Sequence, residues 1–219
     1  CSSWMDTFVR GAAELGIELT EKHQSQFTIY MQELRRWNEK IDLTAITGET
    51  DIAIKHFLDS LVVLKTTSVT NGPCFLDIGS GAGFPGLPVK ILLPEVPLTL
   101  LEPSEKKTAF LRHIIGSLRL SKAEVISRPI KEVAADPSFA GQYTHMLIRA
   151  LALSHVAQWI RPLLTEGGRF VLWRTAKLDR NSVPRGFRIA NEYSYELPLT
   201  HGKRVLVVLE PVPTTGVSA

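Results

Sequence analysis

"CFLDIGSGAGFPGLP", residues 74–88, joins an apolar strand-like run to a burst of glycines and then to a second apolar stretch. Strand, glycine turn and helix in that order open a doubly wound sheet, whose ligands bind beyond the carboxyl ends of the strands. Gly79, Gly81 and Gly83 allow a sharp turn and a close approach of backbone to ligand. Such turns usually cradle a phosphate at the helix N-terminus. Asp77, just before the glycines, would repel one. The register is also wrong for a dinucleotide fingerprint, because Gly81 follows the strand late and Pro85 interrupts the motif. A dinucleotide-dependent oxidoreductase is therefore disfavoured. S-adenosylmethionine carries an ammonium and a sulfonium and no phosphate, so a carboxylate can offset its charge directly or through water. "PLTLLE", residues 97–102, ends the next strand in Glu102, where such folds place a ribose-binding acid. Each acid has a plainer role, Asp77 capping the turn and Glu102 capping the helix that starts near Ser104. Taken together they favour the cofactor.

Outward from the turn, short apolar runs alternate with helical stretches. "CFLDI", "PLTLLE", "AEVIS", "YTHMLI" and "GRFVLW" read as strands, with helices over about 85–93, 104–120, 130–135 and 153–164. Ser104 caps the second of these helices, which turns Phe110, Leu111, Ile114, Ile115 and Leu118 inward. The rhythm predicts an α/β fold with a mostly parallel, doubly wound sheet covered on both faces. "ANEYSYELPL" and "KRVLVVLEP", joined by "THG", break the rhythm and predict an antiparallel C-terminal hairpin at an edge. Residues 4–66 read as helices without strands. Phe27, Tyr30, Met31, Leu34, Trp37 and Ile41 form a core stripe there, opposite a face carrying Arg35, Arg36 and Lys40. The expected division is a helical extension over 1–70, a core over 71–211 and a loose tail over 212–219. Residues 175–188 are basic without an apolar period, and read either as a solvated loop or as a contact for RNA.

The chain has 219 residues, 44% of them apolar, enough for one domain and an appendage. With 25 Lys and Arg against 22 Asp and Glu, the net charge is only +3, so a nucleic-acid surface must come from clustering. Cys1 and Cys74 read as free thiols, not as a disulfide or metal pair. No apolar run reaches the roughly 18 residues of a membrane span. The opening "CSSWMDTFVRG" lacks the layout of a secretion signal, so a cytoplasmic protein is expected.

"RRWNEKIDLTAI", "KHFLDSL", "FLDIGSGAGFPGLPVKI", "TLLEPSEKKTAFLR", "VISR" and "IRALA" follow one another in the order of a known family. In these stretches the chain resembles the bacterial glucose-inhibited division protein B family, the type G methyltransferases of small-subunit ribosomal RNA. The resemblance implies a class I methyltransferase (Rossmann-like) core with an N-terminal helical extension. It also implies methylation of ring nitrogen seven of one guanine in 16S RNA, with S-adenosylmethionine as donor. On matching positions, it implies cofactor contacts from Gly79, Phe84, Glu102 and Arg149, a turn shaped by Asp77 and Gly81, and a further pair at Pro129 and Ile130. The chain departs from the family pattern at Ile130, where an acid is common, at Thr144, where Asp is usual, and at Arg174, where Lys is usual. A backbone contact with the adenine survives Ile130 and a carboxylate contact does not. Glu132 is the candidate replacement.

Ring nitrogen seven of guanine has an in-plane lone pair and no proton at neutral pH, so transfer needs no general base. Alignment and loss of water supply the acceleration, worth on the order of 7–11 kcal/mol in favourable cases. Arg149 leaves its strand beside the donor and is the expected catalytic residue, orienting guanine or holding the cofactor. Its removal is expected to spare the fold. His56, three residues before Asp59, reads as a structural pair or as part of the RNA site. Phosphate contacts are expected among Arg35, Arg36, Lys40, Lys106, Lys107, Arg112, Arg174 and Lys177. The expected partner is 16S ribosomal RNA or the small subunit, bound by a monomer without metal or membrane. The alternatives are a methyltransferase acting on a protein or small molecule, and a non-catalytic RNA-binding module.

Overall fold

The computed structural model describes residues 3–66 and 72–213. Cys1, the expected boundary at 70/71 and residues 214–219 of the expected tail lie outside them. The first third is helical, as its periodicity predicts. α1 (Ser3–Glu14) and α2 (Glu21–Asn38) lead to α3 (Glu49–Ile52), a π-helical turn over Ala53–Leu58, α4 (Asp59–Leu61) and a 3-10 turn over Val62–Lys65. Thr20 starts α2 with a reciprocal cap, its hydroxyl accepting the His23 N–H while its own N–H donates to His23 Nδ1. Phe27, Tyr30, Met31 and Leu34 are buried, and Trp37 and Ile41 pack at the margin. Phe8, Phe27, Tyr30 and Phe57 form a chain of ring contacts at 4.8–5.2 Å, worth a further ~0.5–1.5 kcal/mol per pair beyond burial.

The core then alternates as expected: β1 (Phe75–Ile78), α5 (Gly86–Leu92), β2 (Leu98–Leu101), α6 (Glu105–Ser117), β3 (Ala123–Ile126), α7 (Ile130–Ala135), β4 (Tyr143–Ile148), α8 (Leu153–Ile160) and β5 (Leu164–Arg174). β6 (Phe187–Leu197) and β7 (Gly202–Pro211) complete one seven-stranded sheet in the order β3-β2-β1-β4-β5-β7-β6. β1 to β5 are parallel, and β7 runs antiparallel to both of its neighbours. The winding reverses between β1 and β4, which opens a crevice at their carboxyl ends.

Burial explains the strand order. β1 and β2 are covered on both faces, as parallel strands between helix layers must be. Val205 to Leu209 are all buried, so β7 belongs inside the sheet, and the more polar β6 takes the edge. β6 starts earlier than its sequence suggests. Arg188, expected in the basic loop, lies in the strand and pairs with Glu210 at 2.6 Å. Ser104 caps α6 through the Lys107 N–H, and Ile115 remains only partly buried beside the core residues of that helix. Buried residues of the helical extension and of one sheet face, including Leu147, Val171 and Trp173, form one continuous core. α7 and α8 cover the other face.

Candidate active site

The turn between β1 and α5 is held from three directions. From beneath, Asp77 Oδ2 accepts the N–H of Gly86 at 2.8 Å. From the helical extension, the Tyr30 hydroxyl donates to the Ala82 carbonyl at 2.6 Å. From β2, Glu102 Oε1 accepts the Gly81 N–H at 2.9 Å and Oε2 the Ser104 N–H at 2.8 Å. A Cβ at Gly83 would lie 2.4 Å from the Tyr30 hydroxyl oxygen, and its φ of 102° is left-handed besides. Glycine at that position is what lets α2 touch the turn.

Asp77 shapes the turn, as the resemblance implies, but stands back from the cleft surface. It is fully buried under the turn and lines no part of the cleft above it. Burial pushes its acid up to about 8 against the pull of the Gly86 N–H. Its carboxyl is the brace that seats the first residue of α5 and makes no direct approach to the cleft. The plainer capping role is the observed one. Glu102 also caps, closing the turn and the start of α6 together. Each of its oxygens still has a lone pair for a ligand.

A cleft of about 710 Å³ opens over this turn, at the carboxyl ends of β1, β2 and β4, a size suited to a cofactor. Gly79, Gly81, Phe84, Glu102, Pro129, Ile130 and Arg149, predicted from the sequence for the cofactor, all line it. The lining fits S-adenosylmethionine. Nothing stands within 4 Å of where a Gly81 Cβ would be, so the turn is open to the methionine end. Glu102 can take ribose hydroxyls, and Leu101, Ile130 and Val156 offer apolar surface to a purine. Glu132 does not substitute for the acid missing at position 130, because it pairs with Arg128 at 3.5 Å and stays out of the lining. The departure at Thr144 lies at the opposite, amino end of β4. There its hydroxyl accepts the Cys74 N–H at 2.8 Å and donates to the Cys74 carbonyl at 3.1 Å.

Arg149 leaves β4 and turns into the helical extension. Its Nη1 donates to His56 Nδ1 at 3.1 Å, and its Nη2 meets Asp59 Oδ2 at 3.4 Å and the Lys55 carbonyl. Asp59 Oδ1 accepts from the Tyr195 hydroxyl of β6, and the Asp59 carbonyl accepts from Trp173 Nε1 at 2.8 Å. His56 stacks on Phe84 at 4.5 Å with 7° between the planes, so the extension, the glycine turn and the end of β4 meet at one point. Burial, helped by the Arg149 charge, lowers His56 to about 3, and the ring is neutral at physiological pH. Burial raises the Asp59 acid, opposed by Arg149, and raises the Tyr195 phenol with the help of Asp59. His56 and Asp59 are thus not paired with each other as their spacing predicts. The π-helical turn between them sets both against Arg149.

Of the predicted RNA contacts, His56 and Lys107 line the cleft. Arg35 and Arg36 line an adjoining groove of about 570 Å³ between α2 and the segment after it, where they pair with Glu49 at 3.4 Å and Glu33 at 2.5 Å. Lys40, Lys106 and Arg112 are exposed, Arg174 Nε donates to the Ala176 carbonyl at 3.3 Å, and Lys177 lies by a separate depression with Tyr195 and Arg204. Thr44, Arg128 and His155 also line the cleft and were not singled out in the sequence, although Thr44 and Arg128 lie in the stretches "RRWNEKIDLTAI" and "VISR" and His155 in the helix predicted over 153–164. Among the described residues no group of three His, Cys, Asp or Glu is placed to hold a metal, and no helix is long and apolar enough to cross a membrane.

A family profile described as rRNA small subunit methyltransferase G matches residues 23–205. The chain is 38% identical over 218 residues to the ribosomal RNA small subunit methyltransferase G of Pelotomaculum thermopropionicum, covering 96% of this chain and 91% of the relative. It is 39% identical over 219 residues to the protein of that name from Dehalococcoides mccartyi strain CBDB1, covering 96% and 93%. Among solved structures it is similar to a mutant of MtNAS in complex with S-adenosylmethionine, with a TM-score of 0.59 at 15% identity over 97% of this chain and 100% of that one. It is also similar to TrmN from Thermus thermophilus, with a TM-score of 0.56 at 19% identity over 81% and 53%. At these identities the likeness establishes the fold alone, a mixed α/β core around a mostly parallel sheet.

Proposed function

This chain belongs to the GidB family, rRNA small subunit methyltransferase G, and we propose that it transfers a methyl group from S-adenosylmethionine to ring nitrogen seven of one guanine in 16S ribosomal RNA. The observation that carries the reading is the convergence of the glycine turn, Glu102, Pro129, Ile130 and Arg149 on one cleft. The bound donor supplies an electrophilic methyl group on a sulfonium. Glu102 holds the ribose while keeping the Gly81 and Ser104 N–H groups satisfied. Pro129 and Ile130 would supply an apolar wall for the adenine, and residues 79–81 would lie along the methionine end.

The guanine nitrogen attacks with its own lone pair, so the protein's task is alignment and exclusion of water. Arg149, Phe84 and His56 form one wall of the reaction space. A neutral His56 and an Asp59-paired Arg149 add little positive charge beside a ring that becomes cationic. Lys107 and Arg128 at the cleft are suited to RNA phosphates, which position the substrate without selecting the base. The setting for such a substrate is the bacterial cytoplasm. Equilibrium binding tests the cofactor half of the reading: the protein takes up S-adenosylmethionine and not NAD. Uptake of NAD alone would overturn it.

A further inference from the structure

"WNEKIDLTAI", residues 37–46, carries part of the family resemblance, yet only its Leu43 and Thr44 reach the cleft. Asn38 organises the segment. Its Oδ1 accepts the N–H groups of Leu43 and Thr44 at 2.9 and 3.0 Å, and its Nδ2 donates to the Thr44 carbonyl at 3.0 Å. Thr44 is therefore fixed in place, and its hydroxyl oxygen meets two donors. One is the Ile46 N–H at 3.1 Å. The other is His56 Nε2 at 2.8 Å. A guanidinium can only donate, so His56 Nδ1, facing Arg149 Nη1, is the accepting nitrogen and the ring proton sits on Nε2. Both lone pairs of Thr44 Oγ1 are thus occupied, and its own O–H proton has no acceptor among the described residues.

The hydroxyl that carries that proton belongs to a residue where two cavities meet. Thr44 lines both the cofactor cleft and the groove between α2 and the following segment. Gln32, Asn38 and Thr47 give the groove polar walls, Glu39 and Glu49 add acidic ones, and Arg35 and Arg36 lie along it in ion pairs with Glu49 and Glu33. We propose that the groove delivers the acceptor guanine to the cleft and that the Thr44 hydroxyl donates to the ring carbonyl oxygen of that base. The proposal rests on the reading of the chain as a guanine methyltransferase. Guanine presents its carbonyl oxygen beside ring nitrogen seven, both of them acceptors. A donor on the oxygen orients the base and leaves the attacking lone pair free. Arg149, the other candidate donor, commits three of its five N–H groups to His56, Asp59 and Lys55, which turns its fork toward the helical extension.

The test uses 16S RNA carrying either guanine or 2-aminopurine at the acceptor position. 2-Aminopurine keeps ring nitrogen seven and lacks the carbonyl oxygen. With wild type, the replacement lowers kcat/KM about tenfold, the loss of one hydrogen bond to the reacting base. Thr44→Val lowers the rate on guanine by a similar factor, and 2-aminopurine then causes less than about a twofold further loss. Thr44→Ser restores the wild-type ratio. Each ratio is taken within one enzyme, so a general loss of folding or donor affinity cancels. Equal ratios in wild type and Thr44→Val overturn the proposal, as does a wild type indifferent to the carbonyl oxygen. A wild type that binds S-adenosylmethionine but leaves guanine-bearing RNA unmethylated overturns the underlying reading instead.

Discussion

Arg149 reaches Asp59 at 3.4 Å from the end of a core strand, joining the sheet to the helical extension through an ion pair whose side chains are 18% and 5% exposed. From the sequence alone, removal of Arg149 is expected to spare the fold. The pair predicts a loss of stability instead, because Arg149→Ala leaves a buried carboxylate whose remaining side-chain hydrogen bond is from the Tyr195 hydroxyl. The expected cost is about 3–5 kcal/mol of stability. Adding Asp59→Asn to Arg149→Ala recovers a substantial part of it, since the stranded charge is gone. Denaturant unfolding of the two variants checks this, and an unchanged stability in Arg149→Ala contradicts it.

Glu102 is the residue on which the proposed cofactor contact and the turn geometry coincide. Glu102→Gln keeps one accepting oxygen and sets an amide NH₂ against a backbone N–H, leaving that donor unsatisfied at a cost of about 1–3 kcal/mol. Affinity for S-adenosylmethionine falls by about tenfold or more, on the scale of a charge-assisted hydrogen bond. Titration calorimetry reads the affinity and thermal unfolding reads the stability. A variant that binds the donor as wild type does removes Glu102 from the site.

Asp77 has a pH signature. Its acid lies at about 8 in the folded chain and near ~3.9 in the unfolded one. Between those values the folded state holds a proton that the unfolded state has released, so this contribution to stability is complete below the lower value and is lost as pH rises through the higher. His56 works in the opposite sense. Its folded value of about 3 lies below the ~6.5 of the unfolded chain, so its contribution is lost as pH falls. Above roughly pH 6.5 the Asp77 slope is free of it. Asp77→Asn flattens the decline in stability from about pH 6.5 to about pH 8 relative to wild type. Unfolding midpoints across that range measure the difference, and parallel curves contradict it.

The alternation of strands and helices was legible because burial on both faces writes continuous apolar runs at β1 and β2. The glycine turn and Glu102 were legible for the same reason, their places being set by the strand ends. Asp77 was open to two readings because a charge beside a glycine turn looks the same in sequence whether it points up at a ligand or down at the next helix. Only the 2.8 Å contact with the Gly86 N–H distinguishes the two. The π-helical turn at Ala53–Leu58 leaves no mark in the apolar period, so the convergence of His56 and Asp59 on Arg149 was hidden. The hairpin signal predicts that β6 pairs with β7 but not that β7 enters the sheet beside β5, which follows from the burial of Val205 to Leu209. Thr44 lies in a stretch that carries the resemblance, but nothing in the stretch singles it out. Its role depends on Asn38, His56 and Arg149 meeting in space.

Transfer of labelled methyl from S-adenosylmethionine to 16S RNA taken from cells lacking the enzyme, followed by mapping of the label, tests the central claim most directly. The account predicts label on ring nitrogen seven of a single guanine. Label on protein or on a small molecule, or none at all from protein that binds the donor, would contradict it.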